Sequence, residues 1–210
     1  MGSILKVDNL QNSDGTRTLA SDSGTAWSWG ANAPPGMVIE QFCSPCDGSS
    51  ITVQSGTYTV QNVTGAQALT TSFATIDGSS ISYKPPTGTQ TVKYDFNFQL
   101  SYESSSHISS YKLFLGDNEV TKFRTVLSVQ TGSSWENKVH YTWAFHIGGS
   151  ADTTVGRVAS WSSALTIKLE ALEYGSTNQA KLHTTGNTFG ASGSNTTVTN
   201  LPVIGITAIA

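Results

Sequence analysis

Few side chains in this 210-residue chain stand at spacings that could do chemistry. Its two cysteines, Cys43 and Cys46, form C-S-P-C. A structural zinc ion takes four protein ligands, and no second cysteine pair follows. His107, His140, His146 and His183 show no close spacing that would complete such a site. A redox pair would open a helix in a βαβ setting, which the sequence lacks. What remains is a turn carrying two thiols, paired or free. His140 and His146 share one face of an alternating run but sit six residues apart. At about 3.3 Å per residue that is roughly 20 Å, too far to share a metal ion. They decorate a polar face, where their charge varies near neutral pH.

Asp and Glu are few and scattered. A glycosidase needs two carboxylates across a cleft, and spacing along the chain neither supplies nor excludes such a pair. No nucleophile elbow, P-loop or dinucleotide fingerprint occurs. Asn62-Val-Thr and Asn195-Thr-Thr are sequons that matter only in a secreted chain. The expectation is a non-enzymatic protein with no catalytic residue, no metal and no cofactor.

The elements that would position any site are strands. Thr91 to Tyr102 alternates without a break, with Val92, Tyr94, Phe96, Phe98, Leu100 and Tyr102 on one face. Val139 to Ile147 repeats the pattern through Tyr141, Trp143 and Phe145, and Leu165 to Ala171 does so through Ile167 and Leu169. These three stretches predict one core containing Val92, Tyr94, Phe96, Phe98, Leu100, Tyr141, Trp143, Phe145, Ile167 and Leu169. Further strands are expected over Met37–Cys43, Ile51–Gln61 with a hinge near Gly56, Phe73–Ile76, Ile81–Tyr83, Tyr111–Leu115, Val120–Gln130 and Val198–Ile209. Gly116-Asp117-Asn118 reads as a hairpin turn. D-G-S-S-I occurs twice, at Asp47 and Asp77, as two similar turns entering strands. No segment reads as a capped amphipathic helix. The fold class is all-β, an antiparallel β-sandwich or jelly roll.

Composition agrees. Charged residues are 12% of the chain against the roughly 25% usual for soluble domains. Ser and Thr make up roughly a quarter, beside 20 Gly. A net charge of −3 argues against a broad electrostatic grip on nucleic acid or anionic membrane. No apolar run approaches the ~18 residues of a spanning helix, so no membrane insertion is expected. The opening lacks a signal-peptide layout, and Lys6 breaks the myristoylation motif. The expected product is soluble and made in the cytoplasm.

Residues 1–36 read as an arm ahead of the body at 37–210, with the boundary at Pro34-Pro35-Gly36. Ile4–Leu10 and Thr16–Leu19 are short strands, Ser21–Gly24 a loop, and Trp27–Gly30 part of the linker. Ile4, Leu5, Val7, Leu10, Trp27 and Trp29 are too apolar for a solvated tail, so they are nominated as the anchoring residues. The last strand is apolar on both faces and lacks a charged gatekeeper. It belongs in the middle of a sheet or between subunits. Val203, Ile204, Ile206 and Ile209 are its nominated interface residues.

Three pieces resemble virion proteins of marine, cyanophage-like tailed phages, namely small fibre, knob and decoration proteins. The opening I-L-K-V-D-N-L-Q-N-S-D-G-T is similar to their L-K-V-D-x-[IL]-Q-N-x-x-G starts. P-P-G-M-V-I-E-Q-F resembles the junction before their C-terminal β-domain. The body from T-S-F-A-T-I-D onward is similar to their jelly-roll head, itself like the trimeric C1q/TNF-like knob. Cys43 to Cys46 departs from the pattern. The resemblance implies a homotrimer located on the virion, an N-terminal arm bound to other capsid or tail proteins, and a head that meets a host surface glycan or protein. Host-facing contacts would fall in the Ser101–Ser110 and Gly148–Ser160 loops. A capsid-decorating cement protein and a carbohydrate-binding module are the alternatives.

Overall fold

The computed structural model of the chain describes residues 9–11, 18–22, 26–28, 33–102, 106–130, 135–175, 180–185 and 198–210. Three short strands, β1 (Asn9–Gln11), β2 (Thr18–Asp22) and β3 (Ala26–Ser28), pair antiparallel in a sheet of their own. Leu10 lies opposite Leu19, and Trp27 opposite Ser21. Two expectations are corrected. Ser21 and Asp22 belong to a strand rather than a loop, and Trp27 lies in a strand rather than a linker. Backbone pairing tolerates the small polar side chains of Ser21 and Asp22, and Trp27 is a strand-favouring aromatic that its Gly/Pro/Ala-rich surroundings disguised as a linker. Ile4, Leu5, Val7 and Trp29 lie outside the described residues.

Pro34 to Met37 makes a turn with Gly36 at φ +79°. Gly36 N–H donates to Ala210 O, and Ala210 N–H to Met37 O, which clasps the start of the body to its last residue. The body then runs through β4 (Val38–Pro45), β5 (Ser50–Val53), β6 (Gly56–Thr59), β7 (Gln67–Ala68), β8 (Ala74–Thr75) and β9 (Ile81–Tyr83). The long β10 (Thr91–Tyr102) and β11 (Ser106–Leu115) follow, then β12 (Asn118–Glu119), β13 (Thr125–Gln130) and β14 (Trp135–His146). β15 (Leu165–Glu173), β16 (Lys181–Leu182), β17 (Thr184–Thr185), β18 (Val198–Thr199) and β19 (Val203–Ile209) complete it.

Eight lanes carry the architecture if β8 and β9, which pair with the same edge of β15, count as one broken strand. In chain order the lanes are β4, β8–β9, β10, β11, β13, β14, β15 and β19. They lie as β4-β19-β10-β14 in one sheet and β9-β15-β11-β13 in the other, or 1-8-3-6 and 2-7-4-5. All these pairings are antiparallel. That order is a jelly roll.

Strict alternation explains the core. Val92, Tyr94, Phe96, Phe98 and Leu100 point inward from β10 and meet Tyr111, Leu113, Ile167 and Leu169 of the facing sheet, all buried. Phe98 lies 6.1 Å from Tyr111 across the sandwich. Tyr141 and Trp143 were expected in the core and are half-buried. They stand on edge strand β14, where Phe123, from the 3₁₀ turn Thr121–Phe123, meets them edge-on. The two D-G turns match: Gly48 and Gly78 have φ +84° and +80°, ahead of β5 and β9.

The terminal stretch takes the first of its two expected places, between β4 and β10. Asn200 to Pro202 interrupts it, so the expected single strand is β18 and β19. Ser106 to Ser110, expected in a loop, is instead the first half of β11, paired throughout with β13 and, at Ser109 and Ser110, also with β15.

Candidate functional site

The two thiols lie in different settings, Cys43 on β4 and Cys46 in the bend just after it. Cys43 faces out and is exposed, whereas Cys46 is fully buried, its thiol donating to Gly78 O at 3.3 Å. Both are free. Burial, with Asp47 beside it, pushes the Cys46 thiol up to about 12, so it is unreactive near neutral pH. His140 and His146 stand exposed on the outer face of β14, as expected. His140 Nε2 lies 3.2 Å from Asp95 Oδ1, and Lys93 Nζ lies 2.9 Å from Asp95 Oδ2. Among the described residues no group of His, Cys, Asp and Glu could hold a metal ion.

The other two histidines are buried, and one belongs to a network that spacing did not reveal. His107, Ser109 and Tyr111 alternate on the inner face of β11. His107 Nδ1 lies 3.4 Å from Glu173 Oε1, and Nε2 lies 2.9 Å from Ser109 Oγ. Ser109 donates to Tyr111 Oη at 2.9 Å, and Glu173 Oε2 accepts from Ala180 N–H at 2.7 Å. Ser109's proton goes to Tyr111, so Nε2–H must donate to Ser109. The contact between Nδ1 and Glu173 then holds one proton, whichever atom carries it. Burial pushes the His107 imidazole down and the Glu173 carboxyl up, so the site disfavours the charged form of each.

Ser109, His107 and Glu173 have the residue types and order of contacts of a hydrolytic triad. All three are buried between the sheets, with Ser109 at 0% exposure, so no substrate reaches the hydroxyl in this fold. Their role here is to satisfy polar groups inside the core. The signal that could have found them is the period-two run H-I-S-S-Y-K-L-F-L, in which small and polar residues share the inward face with Tyr111 and Leu113.

A second buried network lies at the opposite end. Glu40 accepts from Ser55 N–H and Ser55 Oγ at 2.7 Å each and from Tyr83 Oη at 2.8 Å. Tyr58 stacks on Phe42 at 5.5 Å and lies 5.1 Å from Tyr83, which meets Trp161 edge-on at 6.3 Å. Two open clefts of about 440 Å³ flank Lys84 above this cluster. One is lined by Ser55 to Thr59, the other by Pro85 to Thr89 and Trp161. Neither holds a carboxylate pair.

No family model and no curated protein matches this chain. The phage-protein resemblance of the opening and junction motifs therefore has no counterpart in those comparisons. Among solved structures, the chain is similar to one from the infectious bursal disease virus Gx strain, over 93% of its own length. Identity is 10% and the TM-score 0.34; this chain spans 46% of that one, about half its length.

The nominated interface residues divide between two faces of β19. Ile204 and Ile206 are fully buried in the chain's own core and leave nothing for a partner to cover. Val203 and Ile209 point to the outer face and are half-buried. Ile209 pairs across the strand with Val38, which is 47% exposed. The Gly148–Ser160 segment remains an exposed connection. It contains a 3₁₀ turn, Thr153–Val155, capped by the Asp152 carboxylate and closed by Gly156 at φ +71°. Beside it lies a shallow depression of about 400 Å³ lined by Trp143, Ala144, His146, Val155 and Arg157. Trp143 Nε1–H donates to Val155 O, so its ring plane is fixed there.

Proposed function

We propose that this chain is a non-enzymatic virion structural protein. Its jelly-roll head forms a homotrimer in a fibre or knob, residues 1–36 attach it to other virion proteins, and exposed loops meet a host surface glycan or protein. The observation that carries the reading is the closure of the jelly roll. Its two buried polar networks are satisfied inside the core, so outer faces, loops and the N-terminal sheet are what remains for function. The motif resemblance of the opening and junction points the same way.

The outer face around Val38, Val203 and Ile209 is the proposed trimer contact, because it is the apolar part of the terminal lane still open to solvent. The depression beside Gly148–Ser160 is the proposed host-facing site. A fixed indole next to Arg157 and His146 suits a sugar face with polar substituents. Light scattering of the full-length protein at micromolar concentration should give three times the chain mass. A density map of the particle should place residues 1–36 against another virion protein. A monodisperse monomer together with no density on particles would overturn the proposal.

A further inference from the structure

The chain crosses from β15 back to β19 through a strap, residues 180–185 and 198–200. β16 takes up the lane beside β10 that β19 leaves at Asn97. Lys181 pairs with Ser101 and Leu182 with Leu100 on one side, and with Ala68 and Gln67 on the other. Ala180, Leu182 and Thr184 are buried, so the strap seals this end of the core.

His183 is the strap's hub. Its backbone sits at φ +63°, the one positive φ outside glycine among the described residues, between β16 and β17. Its N–H donates to Gln99 O, and its carbonyl accepts from Asn200 N–H. The ring is at 0% exposure, edge-on to Phe98 at 6.2 Å, and neither ring nitrogen has a hydrogen-bond partner. On the opposing turn Asp77 is the titratable group that faces it, and its carboxylate is held by Gln61 Nε2 at 3.1 Å. Phe98, Gln99 and Asn200 carry no charge, and Lys181 lies two residues away on the strap itself.

We infer that His183 is an acid-sensitive pin, whose protonation frees the strap from the end of the sandwich while the main sheets stay folded. A neutral ring in this place costs less to bury than a charged one, although its two nitrogens are unpartnered. An imidazolium there would bring two N–H donors into a fully buried site where burial disfavours its charge more than the backbone and carboxylate of Asp77 favour it, so the charged ring is driven outward. Its hinge position means that the movement opens both backbone bonds to Gln99 and Asn200. Burial holds the ring's pKa down at about 4, with Asp77 pulling weakly the other way. Release would uncover Leu182 and Phe98 and so present apolar surface in acid.

Hydrogen exchange on the full-length chain tests this. After correction for intrinsic rates, amides of Leu182, His183 and Asn200 should exchange roughly tens of fold faster at about pH 4.5 than at about pH 7. Amides of Val92 to Phe98 should keep their protection. His183→Asn, whose side chain accepts the left-handed backbone but does not titrate, should abolish the response. Unchanged strap protection overturns the inference, as does simultaneous loss in β10. A response that persists in the variant assigns the pin to the His107–Glu173 pair and overturns it equally. If the variant does not fold, the His183 ring titration in the native chain decides: a midpoint near its ordinary value of about 6.5 refutes the pin.

Discussion

Replacing Glu40 with Leu should be expensive, and replacing Tyr83 with Phe in the same molecule should recover part of the loss. Glu40 is 6% exposed and is the shared acceptor of three donors. Tyr83 is fully buried, so its hydroxyl has no access to water once the carboxylate is gone. An orphaned buried donor costs about 1–3 kcal/mol. Ser55 is only half-buried, so its N–H and hydroxyl find solvent at less cost. The single change should therefore cost about 2–4 kcal/mol. In a chain of this size that lowers the melting temperature by roughly 4–16 °C. Tyr83→Phe by itself leaves Glu40 two donors and should cost about 1 kcal/mol. In the double variant the orphaned hydroxyl no longer exists, so coupling of about 1–2 kcal/mol is expected in a double-mutant cycle. Urea unfolding with an unchanged m-value measures all four corners. Additive single effects would refute the argument, since they would mean that Tyr83 and Glu40 do not depend on each other.

Phe96→Ala removes a fully buried ring stacked against Phe98 at 5.5 Å and should cost about 3–5 kcal/mol; an unchanged melting temperature would show that β10 does not face the core. Gly156→Ala places a Cβ 2.7 Å from Phe145 Cδ1 at φ +71°, so strain of about 1–2 kcal/mol adds to overpacking of about 1–3 kcal/mol. A neutral outcome in thermal unfolding would mean that the turn shifts freely. Stability should also fall in acid. A histidine held down at about 4 favours the folded state fully above its ordinary 6.5, and that contribution fades as pH drops between the two. The span corresponds to about 3 kcal/mol, to be read from urea unfolding at successive pH values. Glu173, pushed upward, has the opposite sign: its cost is greatest at high pH and is relieved in acid. The depressed carboxylates Asp95 and Glu119 lose their contributions as pH falls through and below the ordinary carboxylate range, whereas His107, also held down, adds a loss of the same sign within this window.

Much of the fold was legible because three lanes carry large apolar residues in strict alternation, and β10, β14 and β15 form where those runs lie. β11 was half missed. Its inward positions in the first half are His107 and Ser109, and a hydrophobicity pattern cannot distinguish a polar residue satisfied inside a core from one in a loop. The order of the lanes was not legible at all, because nothing local in β19 says that it lies between β4 and β10. Long-range pairing decides that, through registers such as Ile206 with Tyr94 on one side and Phe42 on the other.

The same limit explains why the terminal strand invited an intersubunit reading. An apolar run says only that its side chains must be covered. Covering both faces of β19 takes different means. Ile204, Ile206 and Ala208 reach the aromatic core, and on the other face a Cβ added at Gly205 would stand 3.6 Å from Asp95 Cβ and 3.8 Å from Cys43 Sγ. A small residue at that point lets flanking side chains close over the strand without a partner. Only the ends, Val203 and Ile209, escape that cover, and Val38 stands beside one of them. Any assembly through this lane must therefore act at its ends rather than along its length. That confines the proposed trimer contact to the two ends of β19 and leaves Lys93, His140 and Thr142, on the middle of the same face, exposed.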